Sequence, residues 1–316
     1  MNRLLLVATL LLGIVGAHAQ SDLLLMGVGT APKSGTPAGF QGPGDITSGA
    51  IAFYSAGRAY NAAYAAAQSP LTDIVDTATG LATCTIKVGT NGFANVSAVV
   101  CPTGAPVVSV TTFCTVTHIG CSIAKLYDQT GNGNHVVQAT LANMPGLTLS
   151  AQNGLPCAVG TGAGYLVSAG NITQAVPYTV TAVGERTNNV TTAQRIITNG
   201  ANIGRHTWTP AANTVAYDAT TAVSLTAADG AFHAMLGITS ASAPLFAVDS
   251  SANTSTSTNG TTALSSTEEV MATGVAGSPI LPGNFFCEAG IWPADLNASY
   301  QAILANMRSA VYGWNF

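Results

Sequence analysis

The sequence predicts an all-β protein, a sandwich or jelly roll, with one short helix near its N-terminus and one at its C-terminus. Three observations carry this. Thr, Ser, Ala, Val, Gly and Asn dominate the composition, and β-branched residues set between small turn-formers are what many short strands require. From Leu71 onward, short apolar segments recur at strand-like intervals, bounded by Gly, Asn, Ser or Pro clusters. A length of 316 residues is long for an average domain but ordinary for one large sandwich.

Taken in order, Arg3, an apolar run from Leu4 to Val15 and Ala17-His18-Ala19 form a secretory signal with cleavage after Ala19. The mature protein is expected outside the cytoplasm, secreted or periplasmic. Residues 20–44, rich in Gly, Pro and Ser, read as an extended lead-in, and residues 45–316 as the sandwich domain. Within Asp45 to Gln68, residues Phe53, Ala56, Tyr60, Ala63, Tyr64 and Ala67 recur at helical offsets before Pro70, which predicts a helix. Predicted strands follow at Leu81 to Val88, Val107 to Thr112, Ser122 to Tyr127, Tyr178 to Val183, Arg195 to Ile197, Ala234 to Ile238 and Leu245 to Val248. Ser250 to Thr267 reads as a Ser/Thr/Asn-rich loop. Asp295 is the expected N-cap of a final helix placing Leu296, Tyr300, Ile303, Leu304, Met307 and Val311 on one face.

Only 7% of residues are charged and the formal net charge is -4. That leaves no basic field for nucleic acid or anionic lipid, and suits neutral partners such as sugars. No segment after the signal offers the roughly 20 uninterrupted apolar residues of a membrane helix, so no membrane span is expected. The six cysteines, Cys84, Cys101, Cys114, Cys121, Cys157 and Cys287, form no Cys-x-x-Cys knuckle. An even count in an exported chain favours disulfides over metal thiolates, and six cysteines allow 15 pairings.

The most particular stretch is Phe113-Cys114, a short loop to Cys121, then Ile123-Ala124-Lys125-Leu126-Tyr127-Asp128-Gln129-Thr130-Gly131-Asn132-Gly133-Asn134-His135. This order resembles the catalytic domain of α-L-arabinofuranosidase B, glycoside hydrolase family 54, and the likeness runs with gaps from about Asp45 to Trp314. The resemblance implies a concanavalin-like β-sandwich, a carbohydrate partner containing arabinose or a related sugar, and, for an active member, hydrolysis of terminal α-L-arabinofuranosides with retention. No cofactor is implied. Together with proximity in sequence, it selects Cys114 with Cys121. Cys84 with Cys101 is the next most local choice and leaves Cys157 with Cys287 by elimination, so the pairing of those four stays open.

The site residues of that family are not matched. Retention needs two carboxylates about 5 Å apart, a nucleophile and a general acid/base. The nucleophilic Glu falls on Asn202 or Ile203, beyond Thr198-Asn199-Gly200; the acid/base Asp falls on Gly277 or Ser278, counting back from Glu288. The family's adjacent cysteines, a sugar-facing platform, have no counterpart between Arg186 and Arg195. Glu185, Glu268 and Glu269 are the remaining catalytic candidates, with Asp218 in a Tyr-Asp turn, although charged residues mostly cap strands or face solvent. Glu288 matches a non-catalytic family Glu, and its apolar neighbours predict an ion pair with Arg58 or Lys125.

Arg205, His206 and Trp208 are the candidate substrate-binding cluster. An exposed indole beside polar donors stacks on a sugar ring, while edge packing explains a Trp equally well. Asp128, Gln129, Asn132, Asn134 and His135 mix a carboxylate with a proton-shuttling His, yet Thr-Gly-Asn-Gly-Asn is turn chemistry, and Asp128 is expected to bind the turn's own amides. The His residues are scattered and Ca²⁺-type Asp loops are lacking, so no metal site is expected. Sequons at Asn95, Asn171, Asn189, Asn253, Asn259 and Asn297 are glycan acceptors in a eukaryotic secretory pathway.

Overall fold

A computed structural model describes residues 39–77, 83–101, 109–117, 120–187, 193–199, 203–218, 222–253, 262–272 and 282–310. The signal sequence, most of the lead-in, Asn189, Asn202, Asn259, Gly277, Ser278 and Val311 lie outside the described residues.

Alternating strands need partners on both edges, and here every recorded pairing is antiparallel. A long sheet runs β3 (Thr83–Lys87), β2 (Pro70–Asp76), β4 (Cys121–Leu126), β5 (Val136–Val137), β8 (Leu166–Gln174), β17 (Leu264–Ala272), β10 (Gln194–Asn199), β11 (Ile203–Trp208), β12 (Thr214–Asp218) and β13 (Ala222–Thr226). A second runs β1 (Ala52–Ser55), β18 (Phe285–Trp292), β9 (Tyr178–Glu185), β14 (Phe232–Thr239), β15 (Leu245–Val248) and β16 (Ser251–Asn253). The hairpin β6 (Gly146–Gln152) and β7 (Leu155–Val159) joins them, pairing with β4 on one side and β18 on the other, so the sandwich is nearly closed.

Period-2 alternation sends one face of each strand inward. Leu126, Val136, Leu166, Val270 and Ile197 from the long sheet meet Tyr54, Tyr178, Val180, Ala182 and Ile291 from the second in the principal core. The opposite face of the second sheet is also apolar. Phe53, Val183, Leu236 and Ile238 pack there with Leu296, Ile303, Leu304 and Met307 of the C-terminal region, which is why β9 and β14 are buried on both faces. Polar residues collect on the far side of the long sheet.

All three disulfides form: Cys84–Cys101, Cys114–Cys121 and Cys157–Cys287. The first two brace a small separate core with Ile74, Ile86 and Phe113; the third links β7 to β18.

Four local expectations are corrected. The helix over Asp45 to Gln68 is three elements: α1 (Pro43–Ile46), strand β1 and α2 (Ala62–Ala66), the last capped by the Asn61 side chain accepting from Tyr64 N at 2.8 Å. Tertiary pairing overrides helical spacing, because Ala52 to Ser55 bury on both faces when aligned with Ile291 to Glu288. Of the predicted strand Val107 to Thr112, the described part is helical instead, leading into a π-helical turn at Thr112–Thr117, with Ser109 Oγ accepting from Thr112 N. The Ser250 to Thr267 loop contains β16 and the start of β17. Asp295 does not cap the final helix: α3 spans Tyr300–Ala305 after Ser299, and Asp295 accepts from Asn297 N within its own turn. The buried face Ile303, Leu304 and Met307 is as expected.

The expected ion pair of Glu288 is with Arg58. Both are fully buried, and Arg58 donates from Nε and a terminal nitrogen to the two Glu288 oxygens at 2.6 Å each. The Asp128 turn also forms as read. Its carboxylate accepts from the amides of Phe53 at 3.2 Å, Thr130 at 3.0 Å and Asn134 at 3.0 Å. Gly131 and Gly133 take φ of 90° and 78°, which is why glycine stands at both.

Candidate functional site

Register builds the site. On the outer face of the long sheet, Thr85 lies opposite Asp73, Asp73 opposite Lys125, Lys125 opposite Val137, Val137 opposite Val167, Val167 opposite Glu269, and Glu269 opposite Thr198. Seven strands thus contribute one residue each to a single row. Their inward neighbours, such as Leu126, Val136, Leu166 and Val270, are core residues. The row is half-buried from Thr85 to Val167 and closes at Glu269 and Thr198, which are buried.

Tyr127, two residues beyond Lys125, and His135, two before Val137, share that face by the same alternation. Together with Asp73 and Lys125 they form a half-buried polar cluster. Asp73 accepts from Thr85 Oγ1 at 2.6 Å and from the Tyr127 hydroxyl at 3.0 and 3.2 Å. Burial and the Asp73 carboxylate push the Tyr127 phenol up to about 12, so it stays protonated and donates. Lys125 Nζ sits 4.1 Å from the centroid of the Tyr127 ring, and the His135 ring meets it edge-on at 5.2 Å. His135 Nδ1 accepts from Asp128 N at 2.9 Å, which leaves the proton of the neutral ring on Nε2. Burial first, then Lys125, holds the His135 pKa below its usual value. The turn read from sequence as structural therefore also delivers one member of the cluster. From the sequence, Asp73 and Tyr127 carry no site role, and Lys125 stands only as a candidate partner for Glu288. The Lys-x-Tyr spacing marks a shared strand face, but only the β2–β4 register brings Asp73 to it.

The sequence-predicted residues are not assembled into one site. Arg205 is half-buried on the outer face, whereas His206 and Trp208 alternate inward and are fully buried. Trp208 is packed beside Arg186 and edge-on to His233, and its Nε1 has no hydrogen-bond partner among the described residues. Of the two readings offered for Trp208, its burial is that of packing rather than of an exposed platform: the apolar indole serves the core between the sheets. His206 Nε2 donates to Val180 O at 2.9 Å, and burial pulls its pKa down to about 4, so the ring is neutral at pH 7.

The candidate carboxylates are dispersed too. Glu185 ends β9 on the second sheet, opposite Phe232 and Phe285, with its pKa raised by burial. Glu268 and Glu269 are chain neighbours, and alternation turns them to opposite faces. Glu268 points into the principal core near Tyr54 and Tyr178, where neither oxygen accepts a hydrogen bond of ordinary length from the described residues. Burial raises its pKa well above the usual carboxylate range, partly offset by Asn199, which stands opposite on β10. Asp218 lies opposite Arg205 on β12. On the outer face, Asp73 and Glu269 are separated by four strand spacings, ~19 Å, far beyond the roughly 5 to 9.5 Å used by glycosidase pairs.

Among the described residues, no group of three His, Cys, Asp or Glu side chains is gathered to hold a metal ion. A separate cleft of about 340 Å³ lies against Gln68, Asn91, Asn95 and Ser97, and its lining carries no charged or aromatic side chain.

The fold and this face define an antiparallel all-β sandwich with a polar, aromatic-bearing outer surface. No family model matches the chain, and no curated protein matches it. Among solved structures, an arabinofuranosidase complexed with arabinofuranosyl-alpha-1,2-xylobiose is similar, with TM-score 0.58 and 18% identity over 84% of this chain and 64% of that one. This chain thus spans less than two thirds of that enzyme's length. Domain 4 of an extracellular GH43 arabinanase from Geobacillus stearothermophilus, in complex with arabinotriose, gives 0.41 and 12% over 56% and 91% of the two chains. Trypanosoma rangeli sialidase in complex with sialic acid gives 0.38 and 10% over 72% and 42%. The first likeness shows a shared fold.

Proposed function

We propose that this protein is an exported, glycan-binding β-sandwich of the concanavalin-like type that recognises sugar without cleaving it. The observation that carries the reading is the half-buried cluster of Asp73, Lys125, Tyr127 and His135 on one sheet face. It combines an aromatic ring with directed polar groups, the combination that orients a sugar. The dispersal of Glu185, Glu268 and Glu269 argues against hydrolysis, since no two of them flank a common space. The fold shared with an arabinofuranosidase supports a carbohydrate partner and makes arabinose-containing oligosaccharides the first ligands to try.

Calorimetric titration of the purified protein with arabinofuranosyl-xylobiose and related xylo-oligosaccharides tests binding. Asp73→Ala should weaken affinity at least several-fold while the protein remains folded, because it frees the Tyr127 hydroxyl. An aryl α-L-arabinofuranoside should release no detectable nitrophenol. Turnover abolished by Glu185→Gln, Glu268→Gln or Glu269→Gln would replace this reading with that of an arabinofuranosidase.

A further inference from the structure

We propose that the Lys125–Tyr127–His135 site takes an acidic sugar, a glycan residue carrying a carboxylate such as a uronic acid. The inference rests on the glycan-binding reading above and specifies its ligand. Lys125 lies directly opposite Asp73 in register, yet no ion pair forms between them. The Asp73 oxygens are engaged by the Thr85 and Tyr127 hydroxyls. The Lys125 ammonium rests over the Tyr127 ring, half-buried, without a carboxylate within 4.0 Å among the described residues. The other acid nearby, Asp128, is turned inward and occupied by three backbone amides.

His135 adds a second donor. With Nδ1 committed to Asp128 N, its Nε2–H has no partner among the described residues. Two N–H donors, one of them a full positive charge, therefore flank one aromatic ring. A sugar hydroxyl meets these donors with a single neutral acceptor oxygen. A carboxylate is acceptor-only, offers about four lone-pair positions, and forms stronger bonds with a cationic donor. The complementarity is thus to an anion attached to a sugar, with the ring body on the half-buried phenol.

The test pairs two probes of equal length, a xylo-oligosaccharide bearing one glucuronic acid branch and its unbranched neutral counterpart, with acetate as a third arm. The acidic probe should bind at least tenfold tighter than the neutral one, and in Lys125→Met the two affinities should fall within twofold of each other. In the wild-type protein, the NMR titration midpoint of His135 should move upward on saturation with the acidic probe, because the bound anion offsets Lys125. The neutral probe should not move it, and acetate alone should bind too weakly to do so. Equal affinity for both probes, or acidic binding that leaves the His135 midpoint in place, overturns the acidic-sugar assignment while glycan binding stands. Binding of neither probe defeats both. Acetate matching the acidic probe would show a carboxylate site with no sugar recognition, which also refutes the proposal. The His135 measurement needs no substitution, so the outcome does not depend on Lys125→Met folding.

Discussion

Replacing Glu288 by Leu should destabilise the protein by about 3–5 kcal/mol, because it leaves the Arg58 guanidinium charged, buried and short of acceptors. Arg58 and Glu288 are both 0% exposed. Arg58 makes two 2.6 Å bonds to the carboxylate and a third, 2.7 Å, to Asn306 Oδ1, whose own amide nitrogen reaches back to Gln41 O. Glu288→Leu removes two of those three. At about 1.5–3 kcal/mol for each hydrogen bond to a charged group, the two lost bonds come to about 3–6 kcal/mol, which spans that range. Arg58→Met should cost a similar amount by stranding the carboxylate. The double replacement removes both charges, so its cost should fall short of the sum of the singles by at least about 2 kcal/mol. Urea unfolding of the disulfide-intact protein measures all four species, provided the m-value is unchanged across the set. Single variants costing under about 1 kcal/mol each, or a double variant that is simply additive, would refute the claim that this pair organises the junction of β1, β18 and the C-terminal turn.

Further outcomes follow from other buried groups. Asp128→Ala should cost about 2–3 kcal/mol, chiefly through the buried Phe53 amide, since the Thr130 and Asn134 amides lie nearer water; an unchanged melting temperature would contradict this. Glu268 has its pKa raised in the folded state, so its effect runs opposite to that of a salt-bridged acid. Below the unfolded value near 4.5 it has no effect, and as pH rises past 4.5 the unfolded chain ionises first and wild-type stability falls relative to Glu268→Gln. That relative fall should proceed at about 1.4 kcal/mol per pH unit until the folded-state pKa is reached. Parallel stability curves for the two proteins between pH 4 and 7 would show that Glu268 is not held protonated. Trp208→Phe should reduce stability by about 1–3 kcal/mol through lost core contacts and leave sugar affinity within twofold, whereas a selective loss of affinity would restore Trp208 to the binding surface.

What the sequence determined by itself was local or compositional. Turn-formers between β-branched segments specify an all-β chain. The Asp128 to His135 turn is written in Gly and Asn at positions of positive φ and a carboxylate that binds amides close by. The Cys114–Cys121 pairing is legible from the short loop together with the family resemblance. Tertiary structure decided everything that depends on which strands become neighbours. Phe53 carries helical spacing, yet pairing with β18 makes it part of a strand that is buried on both sides. Trp208 sits among polar neighbours in sequence, and the alternation of β11 turns it into the core while Arg205 goes outward. Asp73 and Lys125 stand 52 positions apart in the chain and become opposite residues only through the β2–β4 register. A period-2 pattern states that side chains alternate, but a strand's partner and offset are set by the sheet as a whole, and a shift of one residue would send every side chain of that row to the other face.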